Sequence, residues 1–280
     1  MFLVPLVLGS LSVFFPFIGL ILLMLYSGKA VEFSLHAPLK AIAAFFLVPV
    51  AVLLFDGGSA PLLPVCDAVF GVGIPVLIFL IAASRVRRTS VAFTFSSLML
   101  IAYGMWRGYY FGDVLEQSFT DVMTMVRDQF PQYMNAALLQ DTGAIWLAVM
   151  PAAWVVSQLL GLFAGFILFQ RQAGAPLSLS RLQLPAYYNF LIIILLPLYL
   201  VAGQELVFYN VMISLAVLPM LQGVGVLIDF LSRILVNRFV LGVSLFIILI
   251  NLSSYILLLL IGFADIWLNF RKLETGGSPA

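Results

Sequence analysis

Residues 144–169 read AIWLAVMPAAWVVSQLLGLFAGFILF, an apolar run from which the fold class can be inferred. It runs for 26 residues without a charged side chain, whereas about 20 apolar residues are enough for an α-helix to cross the hydrocarbon core of a bilayer. A backbone in lipid has no water to satisfy its N–H and C=O groups, so a stretch of this length crosses as a helix. The stretch therefore predicts a transmembrane helix.

Seven further apolar runs flank this one, separated by short polar gaps. The eight predicted membrane helices cover residues 2–26, 38–55, 61–84, 90–110, 144–169, 184–201, 206–231 and 239–268. Of the 280 residues, 64% are hydrophobic and 9% charged, whereas soluble domains are near half apolar and a quarter charged. We therefore predict an all-α fold, a polytopic membrane helix bundle with about eight transmembrane helices.

These runs form one predicted membrane domain over residues 1–272, followed by a short polar tail at 273–280. The last run is longer than one crossing requires. We expect its end, residues 262–272, to turn along the membrane interface.

The basic residues divide unequally between the two sides of the predicted bundle. If the first helix runs from outside to inside, nine of the 13 lysines and arginines fall in inner gaps: Lys29, Lys40, Arg85, Arg87, Arg88, Arg171, Arg181, Arg233 and Arg238. This bias follows the positive-inside rule. Arg271 and Lys272 fall outside, unless the last run does not fully cross and the C-terminus lies inside. The net charge of +1 indicates no nucleic-acid partner.

The sizeable segment between the predicted membrane helices, residues 111–143, is amphipathic. Apolar residues such as Leu115, Phe119, Val122 and Val126 recur every three or four positions, with acidic and polar residues between them. This pattern predicts a helical, extracytoplasmic connector on the membrane surface or folded over the bundle. The alternative is a lid over an outward-facing cavity.

Small residues repeat every fourth position in the fifth run, at Ala153, Ser157, Gly161 and Gly165. Such a ridge lets another helix approach closely, and close approach favours helix association in lipid. We expect a neighbouring helix of this chain to pack there, with a docking face for another protein as the alternative.

Three carboxamides fall near the middle of three predicted membrane helices, and aromatic residues fall about one turn farther out. The candidate ligand-binding residues are Tyr103, Trp154, Gln158, Gln222, Asn251 and Tyr255. Amides below aromatic faces would suit a cavity for a small, partly aromatic solute. The alternative is that the amides form hydrogen bonds between helices and the aromatics form an interfacial belt.

Signatures of catalysis are missing from the sequence. It has a single histidine, His36, and a single cysteine, Cys66, and it contains no GxxxxGK[ST], HExxH or GxSxG pattern. A general acid and base, a metal cluster or a nucleophile with its base cannot be assembled at one depth. We therefore expect no enzymatic activity, no catalytic residue, no metal and no cofactor.

Three C-terminal stretches carry a family resemblance. Residues 184–187 read LPAY, residues 221–223 read LQG, and residues 262–272 read GFADIWLNFRK. Together they resemble the YybS-like family of bacterial integral membrane proteins, and the pattern G-x-x-D-x-W-x-x-F-R-K is the most specific part. The resemblance covers residues 145–272 well, and the first half of the chain agrees mainly in hydropathy.

What the resemblance implies is a multi-pass protein of the bacterial cytoplasmic (inner) membrane, with no established activity. The family is distantly similar to the S-components of energy-coupling-factor transporters and to MreD-type proteins. The first relative implies binding and uptake of a small solute, energised by a separate transporter module. The second implies a membrane scaffold or assembly subunit that binds other membrane proteins and no solute. The lipid bilayer is the partner common to both.

Overall fold

The computed structural model describes residues 3–31, 37–55, 62–85, 89–129, 136–173, 182–235 and 237–273. Every regular element in these ranges is helical. In chain order the α-helices are α1 (Leu3–Phe14), α2 (Pro16–Val31), α3 (Ala37–Phe55), α4 (Leu62–Ala68), α5 (Ile74–Arg85), α6 (Thr89–Tyr110), α7 (Gly112–Gln129), α8 (Ala136–Gln172), α9 (Tyr187–Leu195), α10 (Glu205–Ile234), α11 (Arg238–Ile250) and α12 (Leu252–Leu268). A π-helical turn (Val69–Gly73) joins α4 to α5, and a 3-10 turn (Leu196–Leu200) extends α9.

Five described helices are long and apolar enough to cross a membrane. They cover Ala37–Phe55, Leu62–Arg85, Thr89–Tyr110, Gly143–Gln172 and Glu205–Ile234, and the bent pair α11 and α12 makes a sixth if it is one span. These helices indicate a multi-pass membrane protein. The all-helical prediction is confirmed for the described residues, whereas the number of eight spans is not.

The first predicted helix, residues 2–26, is two helices in the structure. Proline disfavours a helical conformation in the residue before it, and the break falls at Phe15, directly before Pro16. A Cβ atom on Gly19 would overlap the side chain of Ser12, so α1 and α2 fold against each other. The prediction of one continuous helix is wrong here, and both α1 and α2 are short for a crossing.

The last predicted helix, residues 239–268, is also broken. Its two parts, α11 and α12, meet at an angle of 107°. Asn251 lies at the break in an extended conformation, and its side-chain oxygen accepts a hydrogen bond from the N–H of Ser253. No turn begins at residue 262, because α12 stays helical to Leu268 and the chain turns at Asn269, which has a φ of 45°. The position of residues 262–272 relative to a membrane interface stays a prediction.

At the centre of the bundle lies α8, which contacts α2, α6 and α10. Gly165 lies against Met24 and Phe169 lies against Gly28, so α2 runs parallel to α8. In the same way, Gly104 and Gly108 of α6 face Val155 and Pro151 in antiparallel order. Among the largest buried side chains are Leu20 of α2, Phe45 of α3, Phe79 of α5, Phe93 of α6, Leu159 and Leu162 of α8, and Tyr188 of α9.

A second tight pair is formed by α10 and α12, which run antiparallel. A Cβ atom on Gly262 would overlap the carbonyl oxygen of Pro219, and one on Gly223 would overlap that of Leu258. Contact between backbones maximises dispersion attraction, which matters in lipid because no hydrophobic force draws helices together.

Of the predicted connector, residues 111–143, the structure describes α7 and the start of α8, and residues 130–135 lie outside the described residues. Backbone hydrogen bonds continue from α6 into α7, from the Phe111 N–H to the Arg107 carbonyl and from the Leu115 N–H to the Phe111 carbonyl. None of the side chains of α7 is buried. The Phe119 ring lies 3.7 Å from a Cβ position on Gly143, so α7 returns to the start of α8. Its position relative to a membrane stays a prediction.

Candidate functional site

A buried ion pair joins the beginning of one candidate span to the end of the next. Asp67 lies in α4, and Arg107 lies in the last turn of α6. The Arg107 Nε donates to Asp67 Oδ1 at 2.8 Å, and its Nη2 donates to Oδ2 at 3.0 Å. Their side chains are only 9% and 8% exposed. Two parallel hydrogen bonds between guanidinium and carboxylate hold the pair in one geometry.

Aromatic rings enclose this pair. The Tyr103 hydroxyl donates to Asp67 Oδ1 at 2.7 Å, and the Arg107 guanidinium lies 4.8 Å from the centre of the Trp154 ring. Tyr103 and Trp154 pack edge to face, with ring centres 5.5 Å apart. Phe70 stacks on Tyr103 with ring centres 5.6 Å apart. The Trp154 ring supplies quadrupole attraction to the cation, and the burial of both side chains limits their contact with water.

Local backbone features bring these side chains together. The π-helical turn begins two residues after Asp67, and Gly71 in it leaves room for the Trp154 ring, 3.1 Å from a Cβ position. Gly104 allows α6 to approach α8 at Val155. A π-helical turn inside a helix often marks a functional site. We therefore take the Asp67 cluster (Asp67, Tyr103, Arg107 and Trp154) as the candidate site.

Of the six predicted ligand-binding residues, the structure brings Tyr103 and Trp154 together in the Asp67 cluster. Gln158 lies one turn along α8 from Trp154, is 2% exposed, and its Oε1 has no hydrogen-bond partner within the described part of the chain. The other three residues lie elsewhere.

Gln222 belongs to a separate polar cluster. Its Oε1 accepts from the N–H of Leu184 at 2.8 Å, and its Nε2 donates to Asp265 Oδ2 at 2.7 Å. Arg271 donates to the same carboxylate and to the carbonyl oxygen of Leu182 at 2.7 Å. The chain is not helical at residues 182–185, so these side chains satisfy backbone groups that would otherwise be orphaned inside the bundle. We call Gln222, Asp265 and Arg271 the Asp265 cluster.

Asn251 and Tyr255 do not share a depth with Gln222. Gln222 bonds to Asp265, which lies 14 residues beyond Asn251, and that separation corresponds to about 21 Å along a helix. Asn251 is exposed at the break between α11 and α12, and the Tyr255 hydroxyl donates to the carbonyl of Leu249. The prediction of three carboxamides at one depth is wrong for Asn251, because Gly223, the neighbour of Gln222 in α10, packs beside Leu258 of α12 and not beside the middle of the run 239–268.

The small-residue ridge of α8 faces α2 over half its length. A Cβ atom on Gly161 would lie 2.9 Å from the Phe17 ring, and one on Gly165 would lie 2.8 Å from the Cβ of Met24. Ser157 donates its hydroxyl hydrogen to the carbonyl of Trp154. Ala153, at the other end of the ridge, is exposed.

The sequence prediction missed Asp67 and Asp265, and it did not give Arg107 or Arg271 a partner. A signal was available, because a carboxylate inside an apolar run requires a counter-charge. Asp67 lies five residues after the start of α4, and Asp265 lies in a helix with no other charged residue. The pairing could not be read from spacing, since Asp67 and Arg107 are 40 residues apart.

Within the described residues, no group of three or more histidine, cysteine, aspartate or glutamate side chains is placed to hold a metal ion. The only histidine, His36, lies outside these residues. The Asp67 cluster offers instead hydrogen-bond donors, a fixed pair of charges and aromatic faces, which can bind a small molecule without transforming it.

Both polar clusters gather residues that are far apart in the chain. The three stretches that carry the family resemblance meet in the Asp265 cluster, through Leu184, Gln222 and Asp265. Comparison of the chain with protein-family models, with curated proteins and with solved structures gives no match. Membership of the YybS-like family therefore stays a prediction.

Proposed function

We propose that this chain is a non-enzymatic protein of the bacterial cytoplasmic membrane that binds a small solute at the Asp67 cluster. A separate membrane protein supplies the energy for uptake, as in S-component transporters. In this proposal the chain crosses the membrane eight times, and α4 and α6 present the Asp67 cluster near the outer side.

The observation that carries the proposal is the buried pair of Asp67 and Arg107, bordered by Tyr103 and Trp154. Burying two charges is costly, and bonds between them repay this only in good geometry. Ionisable residues at membrane depth are rare, and they commonly mark solute or ion pathways. Within the described residues, the side chains of this pair bond to each other and to the Tyr103 hydroxyl and to no backbone group, so we assign the pair to binding.

The Asp265 cluster supports a different role, because its polar groups bond to the backbone at Leu182 and Leu184. It holds the chain before α9 against α10 and α12. We therefore assign solute binding to the Asp67 cluster and not to Gln222, Asn251 or Tyr255.

Affinity purification followed by native mass spectrometry tests the proposal. We expect the wild-type protein to retain a small molecule, and Trp154→Leu to lose it while remaining folded. Tyr255→Phe is the matched control, since Tyr255 lies in α12 and bonds only locally through its hydroxyl. Solute retention unchanged by Trp154→Leu would contradict the assignment of the site.

A second candidate function, a scaffold that binds other membrane proteins, is favoured by α11. From Phe239 to Ile250 no side chain is buried, and Phe239, Gly242, Val243 and Phe246 form one open apolar face of the helix. A helix that is apolar on all sides requires an apolar environment, either lipid or another helix. Purification that yields a stoichiometric membrane protein and no solute would favour the scaffold.

A further inference from the structure

The guanidinium of Arg107 has one edge that the Asp67 pair does not use. Within the described residues, Arg107 donates through Nε and Nη2, and both bonds go to Asp67. A guanidinium carries five N–H donors in a planar fork, so three remain. The side chain keeps 9% of its surface exposed. The Nη1 atom on the unused edge is not fully buried, so this edge can donate to a second acceptor.

The carboxylate of Asp67 uses more of its hydrogen-bonding capacity than the guanidinium of Arg107 does. Oδ1 accepts from Arg107 and from the Tyr103 hydroxyl, and Oδ2 accepts from Arg107. A cationic solute would have to replace bonds that already exist, and it would compete with the guanidinium for the Trp154 ring. An anionic solute needs no such replacement, because the cluster has more donors than acceptors.

Aromatic rings continue from the ion pair towards the exposed end of α6. Tyr103 and Trp106 have ring centres 5.9 Å apart, and Trp106 and Tyr110 stack at 5.0 Å with 12° between their planes. Trp106 is 43% exposed and Tyr110 is 59% exposed. These rings can stack with a flat apolar group whose charged end reaches Arg107.

We infer that the solute is a small aromatic carboxylate, with its carboxylate bound by the free edge of Arg107 and its ring stacked beside Trp106. This inference rests on the function proposed above, and it adds the chemical class of the solute. Asp67 then has a positioning role: it fixes the guanidinium so that the unused edge is presented in one orientation.

Binding of matched probes to the purified, detergent-solubilised protein tests the charge of the solute. The probes are benzoate, benzamide and benzylammonium, followed by the same three derivatives of indole, with affinity measured by calorimetry. We expect each carboxylate to bind about tenfold or more tightly than its amide, because a charge-assisted bidentate contact replaces a neutral one, and the ammonium probes not to bind.

Two variants locate the binding. Arg107→Lys keeps a positive charge beside Asp67 and removes the planar second edge, so carboxylate affinity should fall about tenfold or more. Trp106→Leu alters a partly exposed ring and leaves the ion pair intact, so it should fold and bind several times more weakly. Arg233→Lys is the matched control, since that arginine forms an exposed pair with Asp229.

The possible failures are distinguishable. If the ammonium or amide probes bind more tightly than the carboxylates, the assignment to an anion is wrong while the solute site stands. If carboxylate affinity is unchanged in both Arg107→Lys and Trp106→Leu, the inference is wrong about the site. If no probe binds and no solute is retained on purification, the proposed function fails together with this inference.

Discussion

The side chain of Asn210 bonds to the backbone of α8 on both sides of Pro151. Its Oδ1 accepts from the N–H of Ala152 at 3.0 Å, and its Nδ2 donates to the carbonyl of Ala148 at 2.8 Å. Proline removes one helical hydrogen bond and its ring disturbs the preceding turn. The side chain of Asn210, which lies in α10, thus replaces helical bonding in α8 and fastens the two helices together.

This relationship predicts a coupling between the two residues. Asn210→Leu should destabilise the protein by about 2 kcal/mol, because backbone groups of α8 lose their partners. In a Pro151→Ala background the helix can restore its own bonds, so the same substitution should cost less. Equilibrium unfolding of the four proteins of this double-mutant cycle measures the coupling. Equal costs in both backgrounds would show that Asn210 does not compensate for Pro151.

Removing one member of the Asp67–Arg107 pair should destabilise the protein more than removing both. Asp67→Ala leaves Arg107 buried without a counter-charge, and such losses cost about 3–5 kcal/mol. The double variant Asp67→Ala with Arg107→Met should recover part of that stability. Asp229→Ala provides the control, because its partner Arg233 has a side chain that is 62% exposed, and surface pairs contribute less than about 1 kcal/mol. Thermal unfolding in detergent is the measurement.

Gln222→Leu separates a structural role from ligand binding. The substitution leaves the Leu184 N–H without a partner and removes one of the donors to Asp265 Oδ2, which Arg271 still contacts, so stability should fall by about 1–3 kcal/mol. Solute retention by the folded fraction should not change, since the Asp67 cluster is untouched. Asn251→Ala, at an exposed helix cap, should cost about 1 kcal/mol or less. A stable Gln222→Leu protein that loses its solute would restore Gln222 to the binding site.

Sidedness can be measured with single cysteines in a Cys66→Ala background. Cysteines at Arg85 and at Asp121 lie at the two ends of the segment that contains α6. The charge asymmetry predicts that a membrane-impermeant reagent labels position 121 from the outside and position 85 only after permeabilisation. Labelling of both positions from the same side would contradict the proposed topology. A cysteine at Lys272 would report the side of the C-terminus in the same experiment.

Hydropathy was enough to predict the all-helical fold and the positions of the long helices, because each apolar run must satisfy its own backbone in lipid. It could not predict the breaks. Pro16 interrupts the first run, whereas Pro151 and Pro219 lie inside α8 and α10. Whether a proline breaks its helix depends on the residues of other helices that pack against it, as the hydrogen bonds from Asn210 to α8 illustrate. These packing partners cannot be identified from one sequence.

The candidate site was half predictable for a similar reason. Tyr103 and Trp154 were found because large aromatic residues at similar depth are easily recognised. Asp67 was overlooked, since a single carboxylate does not alter the hydropathy of a run. Its partner Arg107 lies in another helix. Gln222 and Asn251 both carry a carboxamide and fall near the middle of their apolar runs, but Gln222 bonds to other segments and Asn251 caps α12.

The two ends of the small-residue ridge on α8 differ in exposure, since Ala153 is exposed and Gly161 is buried. At Gly161 a leucine side chain would collide with Phe17, so α2 and α8 would have to move apart and lose dispersion contacts. Gly161→Leu should therefore lower the stability in detergent by about 1–3 kcal/mol, the usual cost of overpacking. The matched control is Ala153→Leu, which lies on the same ridge at an exposed position and should leave stability unchanged. If Ala153→Leu instead removes a co-purifying protein from a folded chain, the exposed end of the ridge is a docking face. A Gly161→Leu protein as stable as wild type would show that α2 does not pack on the ridge.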